Sequence, residues 1–128
     1  MILKGERQKI EKLRDKVQKD PDLLAIVHFG SSIISSNYND IDLCLIANAS
    51  LTIEKKLSYK LLLPEHFEIH FFHDLPLYIR HEVLKTGKFL LIKNEDLLYD
   101  FVYKFIKEYA YFEPHFRKYL ELIKNAWN

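Results

Sequence analysis

The sequence predicts an α/β domain built on a small β-sheet. Three observations carry that expectation. The run Leu23-Leu24-Ala25-Ile26-Val27-His28-Phe29 is almost continuously apolar, which suits a central strand buried on both faces. Two further stretches, Asp40 to Ala47 and His66 to Phe72, start with alternating polar and apolar residues, the two-residue period of a strand. Around them, apolar residues recur at three- and four-residue spacing, the period of a helix.

Taken in order, Glu6 to Lys19 carries Ile10, Leu13 and Val17 in a charged background, an amphipathic helix with one narrow buried stripe. Asp20-Pro21-Asp22 ends it, because the residue before proline avoids helical angles. The first strand follows. Ser31 to Ser36 is expected to start a short helix, and Asn37-Tyr38-Asn39 reads as loop. In the second strand Asp40 and Asp42 share one face, while Ile41, Leu43 and Leu45 point into a core. Thr52 or Ser50 caps a helix to about Leu63, expected to turn Ile53, Leu57 and Leu61 inward. Pro64 stops it. In the third strand Phe67, Ile69 and Phe71 lie on one face, and Glu68, His70 and Phe72 on the other. A helix from about Leu75 to Lys85 closes at Gly87, read as its C-terminal cap. Phe89 to Ile92 is short and extended, as in an edge strand or a packed connection. From Glu95 a helix runs past Lys107 with Leu97, Leu98, Phe101, Val102, Phe105 and Ile106 on a wide apolar face. Glu113-Pro114 is expected to interrupt it before a last helix, His115 to Trp127. The aromatic residues Tyr99, Phe101, Tyr103, Phe105, Tyr109, Tyr111 and Phe112 read mostly as core.

Composition limits the function. At 128 residues the chain is long enough for one core and too short for two, so a single domain, 1–128, is expected. Within it the core spans about 23–94 and the C-terminal helical segment about 95–128. A formal charge of +1 provides no strong basic field, which argues against nucleic-acid binding. One cysteine, Cys44, rules out an internal disulfide framework and suits a reducing compartment. The N-terminus is charged within a few residues, unlike a signal peptide. No apolar run approaches the ~20 residues of a membrane span. A cytoplasmic protein is expected.

The chemistry concentrates in two short stretches. Two carboxylates on one strand face repel each other, and they become useful if a divalent cation sits between them. Hard oxygen ligands suit Mg²⁺, which usually shares its shell with substrate phosphates. The Gly30-Ser31 turn just upstream offers backbone N–H groups and a hydroxyl, a cradle for phosphate oxygens. Cys44 has neither an adjacent base nor a helix N-terminus, so it is not read as a nucleophile. His66, His73 and His81 lack the spacing of a zinc site.

Gly30-Ser31, then Asp40-Ile41-Asp42, each against an apolar strand, resembles the signature of the DNA polymerase β-like nucleotidyltransferase superfamily. The small size resembles its minimal nucleotidyltransferases. The resemblance runs from about Leu23 to Tyr111. It implies a mixed β-sheet with helices packed on one side. It implies that Asp40 and Asp42 hold two Mg²⁺ ions, with a third carboxylate on the third strand, here Glu68, sharing a metal and helping to deprotonate the acceptor hydroxyl. Gly30, Ser31 and Ser32 then bind the phosphates of a nucleoside triphosphate, with ATP the expected substrate. By strand placement alone, His70 shares the face of Glu68, and it reads first as a satisfied surface residue, with a proton carrier or hydrogen-bond donor near the site as the other reading. The chain departs from the pattern at three places. Ser32 replaces a frequent arginine, Glu68 replaces an aspartate, and the loop to Asp40 is shorter and lacks its glycine.

Minimal nucleotidyltransferases are commonly encoded beside a HEPN-type protein, as antitoxin with toxin, and transfer AMP units to a tyrosine of that partner. The resemblance therefore implies AMP transfer to a HEPN-type partner and association as a homo- or hetero-oligomer. Two alternatives stay open: a small-molecule nucleotidyltransferase, and a catalytically weak or inactive binding module that neutralises a partner by contact alone.

Overall fold

The structure is a computed structural model that describes residues 4–30 and 40–127. The element order is α1 (Lys4–Lys19), β1 (Leu23–Phe29), β2 (Ile41–Ala47), α2 (Ile53–Lys60), β3 (Phe67–Phe71), a short 3₁₀ turn (Phe72–Asp74), α3 (Leu77–Thr86), β4 (Lys88–Ile92) and α4 (Glu95–Trp127). The expected short helix from Ser31 to Ser36 and the loop at Asn37-Tyr38-Asn39 lie outside the described residues.

The four strands form one mixed sheet in the order β3-β2-β1-β4. β1 runs antiparallel to β2 and to β4, and β3 runs parallel to β2. The parallel pair follows from connectivity: α2 lies between β2 and β3 and carries the chain back to the starting edge. β1 is central and buried along nearly its whole length, as its apolar run predicts.

The fold class is the expected one, but the helices cover both faces of the sheet instead of one. On one face Ile10, Leu13 and Val17 of α1, with Tyr59 and Leu63, pack on Ile26, Leu43, Leu45, Ile69 and Phe71. On the other, Val83 of α3 and Leu98 and Phe105 of α4 pack on Ala25, Val27, Cys44 and Ile46. A strand apolar on both faces needs cover on both. Leu24, Ala25 and Val27 had to be buried as fully as Leu23 and Ile26.

Helix α2 is capped as expected, with Thr52 Oγ1 accepting from the Lys55 amide at 3.1 Å. Its inward face is a correction. Ile53, Leu57 and Leu61 are exposed, while Tyr59 is fully buried. A polar anchor decides the rotation. Lys55 Nζ donates to Asp20 Oδ1 at 3.1 Å and to Asp22 Oδ2 at 2.8 Å, and the Tyr59 hydroxyl donates to Asp20 Oδ2 at 2.8 Å. Burial alone would raise the Asp20 carboxyl. The bonds from Tyr59, the Asp22 amide and Lys55 outweigh it and hold Asp20 below its ordinary value.

A carboxylate depressed in the folded state stabilises the fold above its unfolded pKa and loses that contribution as pH falls through the folded value. Tyr59→Phe removes a bond to a charged group, for which the expected loss at neutral pH is about 1.5–3 kcal/mol. The loss shrinks as Asp20 protonates, and urea unfolding at pH 7 and pH 3 reads both effects. An equal loss at both values would remove Asp20 from the explanation.

Gly87 closes α3 as expected, but not through a left-handed turn, since its φ is −69°. A Cβ there would lie 2.2 Å from the Val83 carbonyl oxygen and 2.4 Å from Val27 Cγ1. Glycine is needed because α3 ends pressed onto β1. The other correction is α4, which is capped by Asn94 Oδ1 accepting from the Leu97 amide at 3.1 Å and continues through Pro114 without a break. Proline removes one internal bond, and contacts on either side bridge the gap. Phe112 and Phe116 stack at 5.3 Å, Arg117 donates to Glu113, and Phe116 stacks on Tyr78 of α3 at 5.1 Å. Phe105 is buried and Phe101 and Tyr109 pack against the core, whereas Tyr99, Tyr103 and Tyr111 are exposed, so the aromatic cluster is core in larger part and surface at these three. Leu97 and Ile106 are exposed too, which makes the apolar face of α4 narrower than expected.

Candidate active site

Pairing of β1, β2 and β3 builds the site. Asp42 pairs in register with Phe29 of β1 and with Glu68 of β3. His70, two residues along β3, pairs with Cys44 and so shares the face of Glu68. His70 Nε2 lies 3.1 Å from Asp42 Oδ1 and 3.5 Å from Glu68 Oε2. The Phe29 ring meets the His70 imidazole edge-on at 5.4 Å. The three donor groups of Asp42, Glu68 and His70 offer ligand atoms within 4.8 Å of one another.

Gly30 ends β1 with φ +86°, and a Cβ there would stand 2.6 Å from Asp42 Oδ2. The chain therefore turns directly over the Asp42 carboxylate, which only glycine permits without strain. Glu68 is half-exposed, with its carboxyl raised above the ordinary glutamate value. The causes are its hydrogen bond with Asp42, partial burial and the charges of Asp42 and Asp40, opposed by His70. A glutamate raised by a neighbouring carboxylate is the arrangement a divalent cation relieves. Two carboxylate oxygens converging from adjacent strands fit such an ion.

Of the sequence-predicted residues, the structure brings Asp42, Glu68 and His70 together, with Asp42 beneath Gly30. Asp40 is exposed just before β2 and acts on Glu68 through its charge. Ser31 and Ser32 lie outside the described residues. His70 is closer to the centre than a strand histidine suggests. The signal was the Glu68-x-His70 spacing on one strand face. Phe29 was read only as part of an apolar run, and nothing local marks it as the neighbour of an imidazole. A cavity of about 660 Å³ opens at the other end of β2, lined by Ala47, Leu51, Phe72 and Phe101 among others. It includes none of the three donors and does not bear on their chemistry.

Cys44 lies in the core behind the site, its thiol pushed up to about 12 by burial. A thiol so disfavoured as thiolate is inert at neutral pH. The folded protein is expected to leave Ellman's reagent unreacted over a period in which the urea-unfolded chain reacts completely. Fast reaction in the folded state would contradict the burial.

The family model described as polymerase beta, nucleotidyltransferase, matches residues 11–96. The chain belongs to the polymerase β nucleotidyltransferase family. The match takes in all four strands of the sheet and the donor groups of Asp42, Glu68 and His70. No curated protein matches the chain. Solved structures of this nucleotidyltransferase fold do. A crystal structure of a mutant MntA–HpeT toxin–antitoxin superposes with TM-score 0.72 at 21% identity, over 93% of this chain and 97% of the other. A tri-AMPylated HEPN toxin from Shewanella oneidensis in complex with MNT antitoxin gives TM-score 0.64 at 22% identity, over 93% and 95%. A toxin–antitoxin crystallised with AMP-PNP gives TM-score 0.66 at 25% identity, over 91% and 97%. Together they establish a shared fold along nearly the whole chain. Among the described residues, no helix is long and apolar enough to cross a membrane.

Proposed function

We propose that this nucleotidyltransferase transfers AMP from ATP to a hydroxyl acceptor, a tyrosine of a HEPN-type partner protein encoded nearby, and so acts as the antitoxin of a pair. The observation that carries the reading is the pairing of Asp42, which lies directly beneath the Gly30 turn, with Glu68 on the next strand, in a chain of this family. The AMPylated HEPN toxin held by an MNT antitoxin in one related structure and the AMP-PNP in another support the acceptor and the donor.

Asp40, Asp42 and Glu68 would hold two Mg²⁺ ions, which supply positive charge against the phosphates and the departing pyrophosphate. The residues of the chain do the rest by position. Gly30, Ser31 and Ser32 seat the β- and γ-phosphates. The acceptor oxygen attacks the α-phosphorus, a new oxygen–phosphorus bond forms, and the bond to the β-phosphate breaks to release pyrophosphate. Glu68, whose basicity Asp42 raises, takes the acceptor proton.

One observation favours a second reading. Asp42 is already engaged by His70, and a longer glutamate stands in the place of an aspartate. A protein with this fold could therefore neutralise its partner by binding alone. One experiment distinguishes them: α-labelled ATP with Mg²⁺ in a lysate of the source cells, wild type beside Asp40→Ala/Asp42→Ala. Label on one discrete protein, with wild type only, is the expected result. Label on a small molecule would move the acceptor to small hydroxylated compounds. No transfer, with no metal-dependent ATP binding in a parallel titration, would leave the binding module.

A further inference from the structure

We infer that His70 is itself a metal ligand, completing a site of two oxygens and one nitrogen that prefers Mn²⁺ to Mg²⁺. The inference rests on the nucleotidyltransferase reading and concerns which ion that site takes and through which atoms.

The geometry points this way in three respects. First, Nε2 faces both carboxylates at once, at 3.1 Å and 3.5 Å. Neighbouring ligands of one ion held at about 2.1 Å are about 3 Å apart, so Nε2 already stands near that spacing from each carboxylate, with all three donor atoms within 4.8 Å of one another. Second, the imidazole has a fixed approach. It projects from β3 in register with Cys44, and the Phe29 edge packs against it at 5.4 Å. Third, Asp40 lies outside this group of donors. The compact set therefore contains a nitrogen where all-oxygen coordination would suit Mg²⁺.

The chemistry of the donors then decides the ion. Mg²⁺ sheds water reluctantly and favours oxygen. Imidazole binds transition ions far better, and Mn²⁺ also accepts carboxylates and phosphates. A neutral imidazole that lends its Nε2 lone pair to the ion keeps its proton on Nδ1. The ion would take the place of whatever proton Nε2 now shares with Asp42.

The test reads coordination directly. Mn²⁺ is added to the full-length protein, alone and with inorganic tripolyphosphate, which carries no nitrogen. Pulsed electron paramagnetic resonance then looks for coupling to ¹⁴N. The expected spectrum shows a coordinated imidazole. Selective ¹⁵N-histidine labelling should change the coupling to that of ¹⁵N without any substitution. In His70→Gln the coupling disappears. Mn²⁺ affinity falls by about tenfold or more, on the scale of lost metal-site contacts, while Mg²⁺ affinity changes much less. Asp42→Asn should abolish the coupled species, which places it at this site.

Bound Mn²⁺ without nitrogen coupling would overturn the inference while leaving a metal-binding nucleotidyltransferase intact. So would coupling that survives His70→Gln, an unchanged preference between the two ions, or an absence of bound Mn²⁺. Failure of the label-transfer experiment, by contrast, bears on the catalytic reading, because coordination is read here without turnover.

Discussion

Asp42→Asn is expected to lower AMP transfer by about a thousandfold while leaving the fold intact. Among the described residues, Asp42 stands at the centre of this group. It pairs with Phe29 and Glu68, bonds His70 at 3.1 Å, and lies under the Gly30 turn. Asparagine keeps its shape and removes its charge. On the proposed reading Asp40 and Glu68 remain, but losing Asp42 removes several kcal/mol of charge stabilisation, and about 4 kcal/mol corresponds to about a thousandfold in rate. Transfer from labelled ATP measures it. Activity within tenfold of wild type would move the catalytic centre elsewhere.

The same variant makes a prediction about pH. Glu68 has its folded-state pKa raised by Asp42. A raised carboxyl binds its proton more tightly in the folded than in the unfolded state. It therefore lowers stability above its folded pKa, and that cost disappears as pH falls through it. Asp42→Asn removes the largest cause, so stability at pH 7 relative to pH 4 should be better preserved in the variant than in wild type. Urea unfolding at the two values checks the sign.

Gly30→Ala is expected to cost about 1–3 kcal/mol of stability, the usual range for a side chain held in a left-handed backbone conformation, and most of the activity as well. The φ of +86° accounts for the first loss. The second comes from the added Cβ, 2.6 Å from Asp42 Oδ2, which must push the carboxylate off its present position. Because Asp42 binds His70 through its other oxygen, displacement disturbs the whole group. Thermal unfolding and transfer assays on the same preparation separate the two losses. A variant that is destabilised yet fully active would show that Asp42 has room to move, and would leave Gly30 a purely structural residue.

Much of this protein was legible in its sequence, because local patterns are statements about local backbone. The run Leu23 to Phe29, apolar but for His28, is β1 to the residue. The two-residue period around Ile41 and Ile69 places those side chains in one core and Asp42, Glu68 and His70 on the opposite face. Thr52 caps α2 through a bond spanning three residues, and Gly87 ends α3 where the pattern stops. The order of Gly30 and Asp42 along two strands was enough to point to the family. Each of these depends on residues close together in the chain.

Tertiary structure decided what depends on residues far apart. Ile53, Leu57 and Leu61 make as good an inward stripe by spacing as Tyr59 and Leu63. A buried tyrosine hydroxyl needs a partner, and Asp20, thirty-nine residues away, supplies it and sets the rotation of α2. Proline at position 114 is a local stop signal, overruled where Phe116 packs on Tyr78. The burial of both sheet faces follows from how α3 and α4 return across β1 and β2. Whether His70 is a surface residue or a neighbour of the site was open until β3 was laid parallel to β2 in the register that pairs Glu68 with Asp42. A shift of one residue would turn the imidazole away from the carboxylates. Residue types and periods set which elements form, whereas register and packing, which are long-range contacts, set which side chains meet.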